Sequence, residues 1–288
     1  MSCQTFEKIL YCRLEYKKSW SCSNSDLQQL YVLGRGFELD IYETFAHVYD
    51  LFMDGEYYDE ALIAIEEILK MYHSKAETIL DLACGTGLLT AKLAQKGYDM
   101  IGIDSSDAML NEAMRKAEEQ GLNILYLQQD MRAFELYGTV DVIVCSCDSI
   151  NYLLESEDVL ETFRLVNNYL HPSGLFLFDL NTEYKFKHVL ADHSYGEVKE
   201  NAAYIWENYY DEDEKINEFA TTFFTKGSHS EQYRKSQEFH YERAYSVDEV
   251  KSLLNKAGLT FVNMYDMSLQ SPKEDTERIL FVAREKGK

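Results

Sequence analysis

The chain has no apolar run approaching the roughly 20 residues that a bilayer-spanning helix needs, so an integral membrane protein is excluded as an expectation. Its first residues, MSCQTFEKILYCRLEYKKSW, lack the continuous apolar stretch of a signal peptide, and a cytoplasmic location is expected. Basic residues are scarce beside acidic ones: 28 Lys and Arg against 50 Asp and Glu give a formal charge of −22 over 288 residues. Lys and Arg are dispersed, with no basic patch, so a phosphate backbone would be repelled and nucleic acid is disfavoured as a partner. No cysteine pair has C-x-x-C spacing. Cys3, Cys12, Cys22, Cys84, Cys145 and Cys147 have no His placed to complete a zinc site, so no metal is expected and the thiols read as reduced. What is present in quantity is apolar residue, at 46%, enough for a full core and against global disorder.

Residues 1–40 differ from the rest. Their five acidic and five basic residues balance, amphipathic periodicity is weak, and SWSCSNSDLQQ reads as loop. This segment reads either as a poorly ordered N-terminal extension or as a translated upstream stretch outside the working protein. IYETFAHVYDLFM and YYDEALIAIEEILKMY then follow helical spacing. After them β and α patterns alternate. The strands are TILDLA, DMIGID, NILYLQQ, VDVIVC and GLFLFDL, with helices at LLTAKLAQK, DAMLNEAMRKAEEQ and VLETFRLVNNYL. Repeated β-α units imply a parallel sheet with helices on both faces. The pattern breaks after Asn181. A short helix is expected at EYKFKHVLA. AAYIWENYY, KINEFATTFFTK and EQYRKSQEFHYERAY then read as three antiparallel strands. SVDEVKSLLNKAG resumes the α/β pattern behind an S-x-x-E capping box at Ser246 and Glu249, and FVNMYD and RILFVARE close the chain as strands. The expected organisation is an extension at 1–40, a core at 41–183, an inserted β-module at 184–245 that caps a substrate, and the end of the core at 246–288.

Candidate site residues stand at strand ends. In ILDLACGTG, Gly85 and Gly87 turn a strand into a helix, where glycine lets the backbone approach a ligand and helix amides favour an anionic group. Asp104 ends the second strand with Ser105 beside it, and a carboxylate there can accept both hydroxyls of a ribose. Asp130 and Met131 follow the third strand, suited to an adenine amino group and ring. Asp81, on the first strand, can orient the loop or bind an ammonium. Together they outline an adenosine site. A dinucleotide fingerprint needs glycine where this chain has Thr90, and no second phosphate loop is found, so a nicotinamide oxidoreductase is the weaker alternative.

LDLACGTG, GIDSSDAML, QQDMRAF, VDVIVCSCDSINYL and GLFLFDLNT resemble, in order and spacing, the motifs of class I S-adenosylmethionine-dependent methyltransferases. The resemblance covers residues 41–288 and is nearest to the small-molecule type with a β-sheet insertion after the fifth strand, as in glycine N-methyltransferase-like proteins. It implies a Rossmann-like α/β fold with seven strands, the last antiparallel, and S-adenosylmethionine as cofactor. It also implies that Gly85 and Gly87 line the methionine moiety, that Cys145 lies near the cofactor's amino-acid end, and that Tyr49 closes over the cofactor. On the acceptor side stand Asp148, Asn151, Tyr152 and Asn181, with His240 and Arg243 in the last inserted strand. Asp148 and Asn151 either orient their loop or contact the acceptor, His240 reads as a cross-strand pair, and Arg243 binds a carboxylate or pairs with a neighbouring Glu. No catalytic dyad is required, since in-line methyl transfer needs alignment and a base only for a protonated nucleophile. A cofactor-binding protein without turnover, and protein or tRNA methylation, are the other readings. The acceptor's identity, the atom methylated and the oligomeric state are not encoded in any motif found.

Overall fold

The computed structural model describes residues 49–52, 55–72, 75–226 and 232–287, and the expectation for residues 1–40 lies outside them. Helix α1 (Gly55–Tyr72) precedes β1 (Thr78–Leu82), α2 (Leu88–Gln95), β2 (Asp99–Asp104), α3 (Asp107–Glu119), β3 (Leu125–Gln128) and β4 (Val140–Cys145). A 3-10 turn (Ser149–Tyr152), α4 (Ser156–Tyr169) and β5 (Leu170–Asn181) follow. After a π-helical turn (Lys185–Leu190) come β6 (Ser194–Val198), β7 (Ala202–Asp211), β8 (Ile216–Lys226) and β9 (Tyr233–Arg243). Helix α5 (Val247–Lys256), β10 (Leu259–Tyr265) and β11 (Arg278–Glu285) end the described chain. No described helix is long and apolar enough to cross a membrane.

Seven strands form one sheet in the order β10-β11-β5-β4-β1-β2-β3. β1 to β5 are mutually parallel where they pair, and β11 is antiparallel to both β5 and β10. Successive strand residues face opposite sides, and both sides are apolar. Ile79, Met100, Val142, Val144, Leu175 and Leu177 pack under α1 and α2. Leu80, Leu82, Ile103, Ile143, Phe176 and Phe178 pack under α4 and α5. Continuous apolar strands are what burial on both faces demands. The chain runs outward from β1 to β3 and returns to β4, so the switch in strand order lies between β1 and β4. Ligands of such sheets bind beyond the carboxyl ends of the strands at that point.

The inserted segment forms a separate antiparallel sheet in the order β6-β7-β8-β9. Three of its strands match the sequence reading, and β6 is an addition. All five β6 residues are exposed, so no inward-outward alternation marked it. The capping box is also modified. Ser246 accepts from the Glu249 amide at 3.2 Å, while the Glu249 carboxylate turns to Arg243 and Ser156, at 2.9 Å each.

Candidate active site

β1 becomes α2 through three left-handed residues, Ala83 (φ 62°), Gly85 (φ 54°) and Gly87 (φ 72°). The two glycines serve different ends. A Cβ on Gly87 would stand 2.6 Å from the Tyr126 hydroxyl and 2.9 Å from the Ala113 Cβ, so glycine there lets the loop pack on β3 and α3. A Cβ on Gly85 would meet nothing within 4 Å, so this turn faces open space. The Gly85 amide donates to Asp104 Oδ2 and the Ser106 amide to Oδ1, both at 2.8 Å. Burial lifts the Asp104 carboxyl above its ordinary range, against the pull of these amides.

Beneath the loop, Thr90 Oγ1 donates to Asp81 Oδ2 at 2.6 Å, and both side chains are buried. Burial pushes the Asp81 carboxyl up to about 7. The residue standing where a dinucleotide fingerprint has glycine is therefore the anchor of a buried carboxylate. From residues 49–52, which are helical, Asp50 accepts from Thr86 Oγ1 at 2.6 Å and pairs with Lys116 of α3. One carboxylate thus ties the N-terminal turn to the glycine loop. Tyr49 beside it places its hydroxyl 3.2 Å from that of Tyr58 and 3.9 Å from Cys147 Sγ.

A cavity of about 430 Å³ opens at the carboxyl ends of β2, β3 and β4, lined by Ala83, Asp104, Ser105, Asp130, Met131 and Tyr152 among others. It brings together five of the predicted residues. Asp130 is already engaged there. Its carboxylate takes Arg132 Nη2 at 2.6 Å and Nε at 3.0 Å, which holds it below the usual range, and Arg132 also reaches Asp158 at 3.2 Å. Cys145 is fully buried in the apolar cluster with Leu82 and Phe178, so its thiol is a packing group, and Asp81 likewise lies beneath the cavity wall rather than in it.

A second polar centre lies at the ends of β4 and β5. Cys147 (φ 59°) and Asp148 (φ 54°) are successive left-handed residues, a strained conformation without glycine. Their amides converge on Asp179, at 3.0 and 2.8 Å. Tyr57 donates to the same carboxylate at 2.7 Å. Arg278, the first residue of β11, bridges Asp179 and Asp148, the latter at 2.5 Å. Burial raises the Asp148 carboxyl, but Arg278 and Lys185 outweigh it and the net shift is downward. Glu242 of β9, buried beside Asp148, is pushed well upward by burial and by that negative neighbour. Lys185 is pushed down by burial and by Arg278.

Of the predicted acceptor-side residues, Asn151 is a staple: it bonds the Asn181 amide at 3.0 Å, the Asn181 carbonyl at 3.2 Å and the Arg243 carbonyl at 2.8 Å. Asn181 donates to Glu242 at 3.3 Å and accepts from Lys185 at 2.9 Å. Arg243 pairs with Glu249 and Ser156 and lies 4.6 Å over the Tyr245 ring, which is the neighbouring-Glu alternative. His240 stacks on its cross-strand partner Phe219 at 4.8 Å and bonds Glu238 on its own strand at 3.2 Å. Sequence reasoning passed over Arg278, Asp179, Glu242 and Asp50. Only the last two carried a signal: Asp50 ends the FAHVYD stretch, and Glu238, His240 and Glu242 alternate on one face of a predicted strand.

A family model for a methyltransferase domain matches residues 79–174. A protein named as a methyltransferase in Geobacillus sp. (strain WCH70) is 36% identical over 245 residues, covering 84% of this chain and 99% of that protein. A crystal structure of an S-adenosylmethionine-dependent methyltransferase from Clostridium acetobutylicum ATCC 824 is 31% identical with TM-score 0.76, covering 85% of this chain and 99% of that one. A sugar N-methyltransferase from Streptoalloteichus sp. ATCC 53650, 18% identical with TM-score 0.66, covers 93% of this chain and 96% of its own and shares the fold.

Proposed function

Starting from a chain that belongs to the class I S-adenosylmethionine-dependent methyltransferases, we propose that it transfers a methyl group from S-adenosylmethionine to a small-molecule acceptor by in-line displacement. The observation that carries the cofactor side is Asp104, held by the Gly85 amide at the rim of the cavity that Met131 and Tyr152 also line. The residues fit the cofactor. Asp104, with Ser105 beside it, would take the ribose hydroxyls, and Met131 would pack on the adenine. Asp130 stands where the adenine amino group would come, but Arg132 already gives its carboxylate four hydrogen bonds through its amide, Nε and Nη2, so accepting the amino group requires Arg132 to yield one of them. The Gly85 turn leaves room for the methionine moiety, and Gly87 shapes that turn. Tyr49 would close the site from the N-terminal side, with Asp50 latching the loop. Asp81 and Cys145 act from below, as anchor and as packing.

When bound, the cofactor supplies a methyl carbon activated by a sulfonium. The chain's own part is to align the nucleophile with it and to exclude water. The β-module, residues 184–245, is the cap over the acceptor. A small acceptor is consistent with what the similar sugar N-methyltransferase is named for.

Titration calorimetry with S-adenosylmethionine tests the cofactor site. Binding to the wild-type chain is expected, with a loss of roughly tenfold or more in Asp104→Ala; no binding to the wild type overturns the reading. Release of S-adenosylhomocysteine from a metabolite extract tests the acceptor class. Binding without release from any small-molecule pool would leave a cofactor-binding protein without turnover, and release only with macromolecular fractions would reassign the acceptor.

A further inference from the structure

One face of the β-module sheet looks onto the carboxyl ends of β4 and β5. Glu242 on that face receives the Asn181 amide, and His240 meets the Tyr152 ring edge-on at 5.9 Å. Tyr152 in turn lines the cavity that holds Asp104. Strand pairing puts successive rows of side chains on the same face: Tyr204, Phe223 and Ser236; then Trp206, Thr221 and Glu238; then Asn208, Phe219 and His240.

These rows combine aromatic rings with buried polar atoms that lack a partner. Trp206 Nε1, Ser236 Oγ, Asn208 Nδ2 and Glu238 Oε1 make no hydrogen bond among the described residues. Glu238 is 6% exposed, and its other oxygen meets His240 Nε2. Around it stand Phe219, stacked on His240, and Trp206, edge-on to Phe219 at 5.8 Å. Buried polar atoms without partners are rare in folded chains and costly. Four in three adjacent rows, turned toward the strand ends where substrates of such sheets bind, describe a surface built for a ligand rather than for its own packing.

The chemistry of the atoms limits that ligand. A carboxylate oxygen accepts only, so it calls for a donor, and in apolar surroundings a charged one stabilises it best. Aromatic faces attract the same cation. The indole N–H donates only, so the ligand also carries an acceptor, and a serine hydroxyl serves either role. We propose that this face is the acceptor subsite, and that Glu238 there receives a protonated amino group of a small polar amine whose oxygen or hydroxyl groups meet Trp206 and Ser236. The assignment of acceptor rests on the methyl-transfer reading above; the cation site itself does not.

The chain has two tryptophans, so Trp20→Phe makes Trp206 the single indole reporter in the full-length protein. Its fluorescence is titrated with propylammonium and with the neutral isostere 1-propanol. Propylammonium should shift the emission saturably, with 1-propanol at least roughly tenfold weaker, and Glu238→Gln should remove that preference by a similar factor. No saturable response to propylammonium, an equal response to both probes, or an unchanged preference in Glu238→Gln overturns the proposal. The wild-type comparison of the two probes stands even where Glu238→Gln fails to fold. Calorimetry with S-adenosylmethionine on the same samples keeps the two readings apart: cofactor binding with no ammonium selectivity defeats the subsite alone, and selectivity without cofactor binding defeats the methyl-transfer reading alone.

Discussion

The Thr90 hydroxyl donates to the Asp81 carboxylate at 2.6 Å, joining the first turn of α2 to β1 under the glycine loop. Both side chains are buried, so Thr90→Val leaves a buried carboxylate oxygen without its donor. A loss of about 1–3 kcal/mol in urea unfolding is expected.

The same carboxylate makes stability depend on pH. Its folded value of about 7 lies above the ordinary 3.8, so the folded chain binds more protons between those values and Asp81 disfavours folding as pH rises through that window. Asp81→Asn removes the effect. The variant should gain stability relative to the wild type between pH 4 and pH 7, by a few kcal/mol in order of magnitude, and the difference should level off above pH 7. Parallel wild-type and variant curves would contradict this.

Gly85 and Gly87 should part company on substitution. Gly87→Ala drives a methyl group into Tyr126 and Ala113 besides straining a left-handed backbone, and should lower stability by about 2–4 kcal/mol. Gly85→Ala adds only the backbone strain, about 1–2 kcal/mol, because nothing occupies its Cβ position. Its main effect should fall on S-adenosylmethionine affinity, read by calorimetry on the folded fraction.

Arg278 is the counter-ion of two buried carboxylates. Arg278→Met removes the guanidinium that Asp148 and Asp179 share, leaving Lys185 near Asp148 and the Tyr57 hydroxyl and two amides on Asp179, and a loss of about 3–5 kcal/mol is expected. Lowering the pH should recover part of it, since Arg278 no longer holds down the Asp148 carboxyl, which burial raises. Arg278→Lys keeps one charge and should lose less. Thermal unfolding of the two variants across pH reads both effects.

Much of this architecture is legible in the chain. Strand and helix periods mark all seven strands of the main sheet, because the central strands are apolar on both faces and α2, α3 and α5 are bounded by glycine or a cap. Asp104, Ser105, Asp130, Met131 and Tyr152 fall around one cavity because they follow successive strand ends. The exceptions have physical causes. Arg278 was invisible because its partners lie 99 and 130 residues away in sequence. β6 was invisible because an exposed strand carries no pattern. Asn151 and Arg243 were open in sequence between a ligand role and a structural one, and the structure engages them with backbone carbonyls and with Glu249. Side-chain type alone does not tell a staple from a ligand. Asp130 was found at its expected place, yet its engagement with Arg132, two residues on, follows from side-chain geometry that sequence spacing does not express.

The reversed direction of β11 has a consequence for how the molecule assembles. Because β11 runs against β5, its first residue, and not its last, arrives at the carboxyl edge of the sheet, and that residue is Arg278. Without β11, the sheet of β1 to β5 would present Asp148 and Asp179 at its edge with no arginine between them. Closing that gap requires a contact of long sequence separation, the slow kind to form. The charge balance of the site thus depends on a strand that joins the sheet from the far end of the chain.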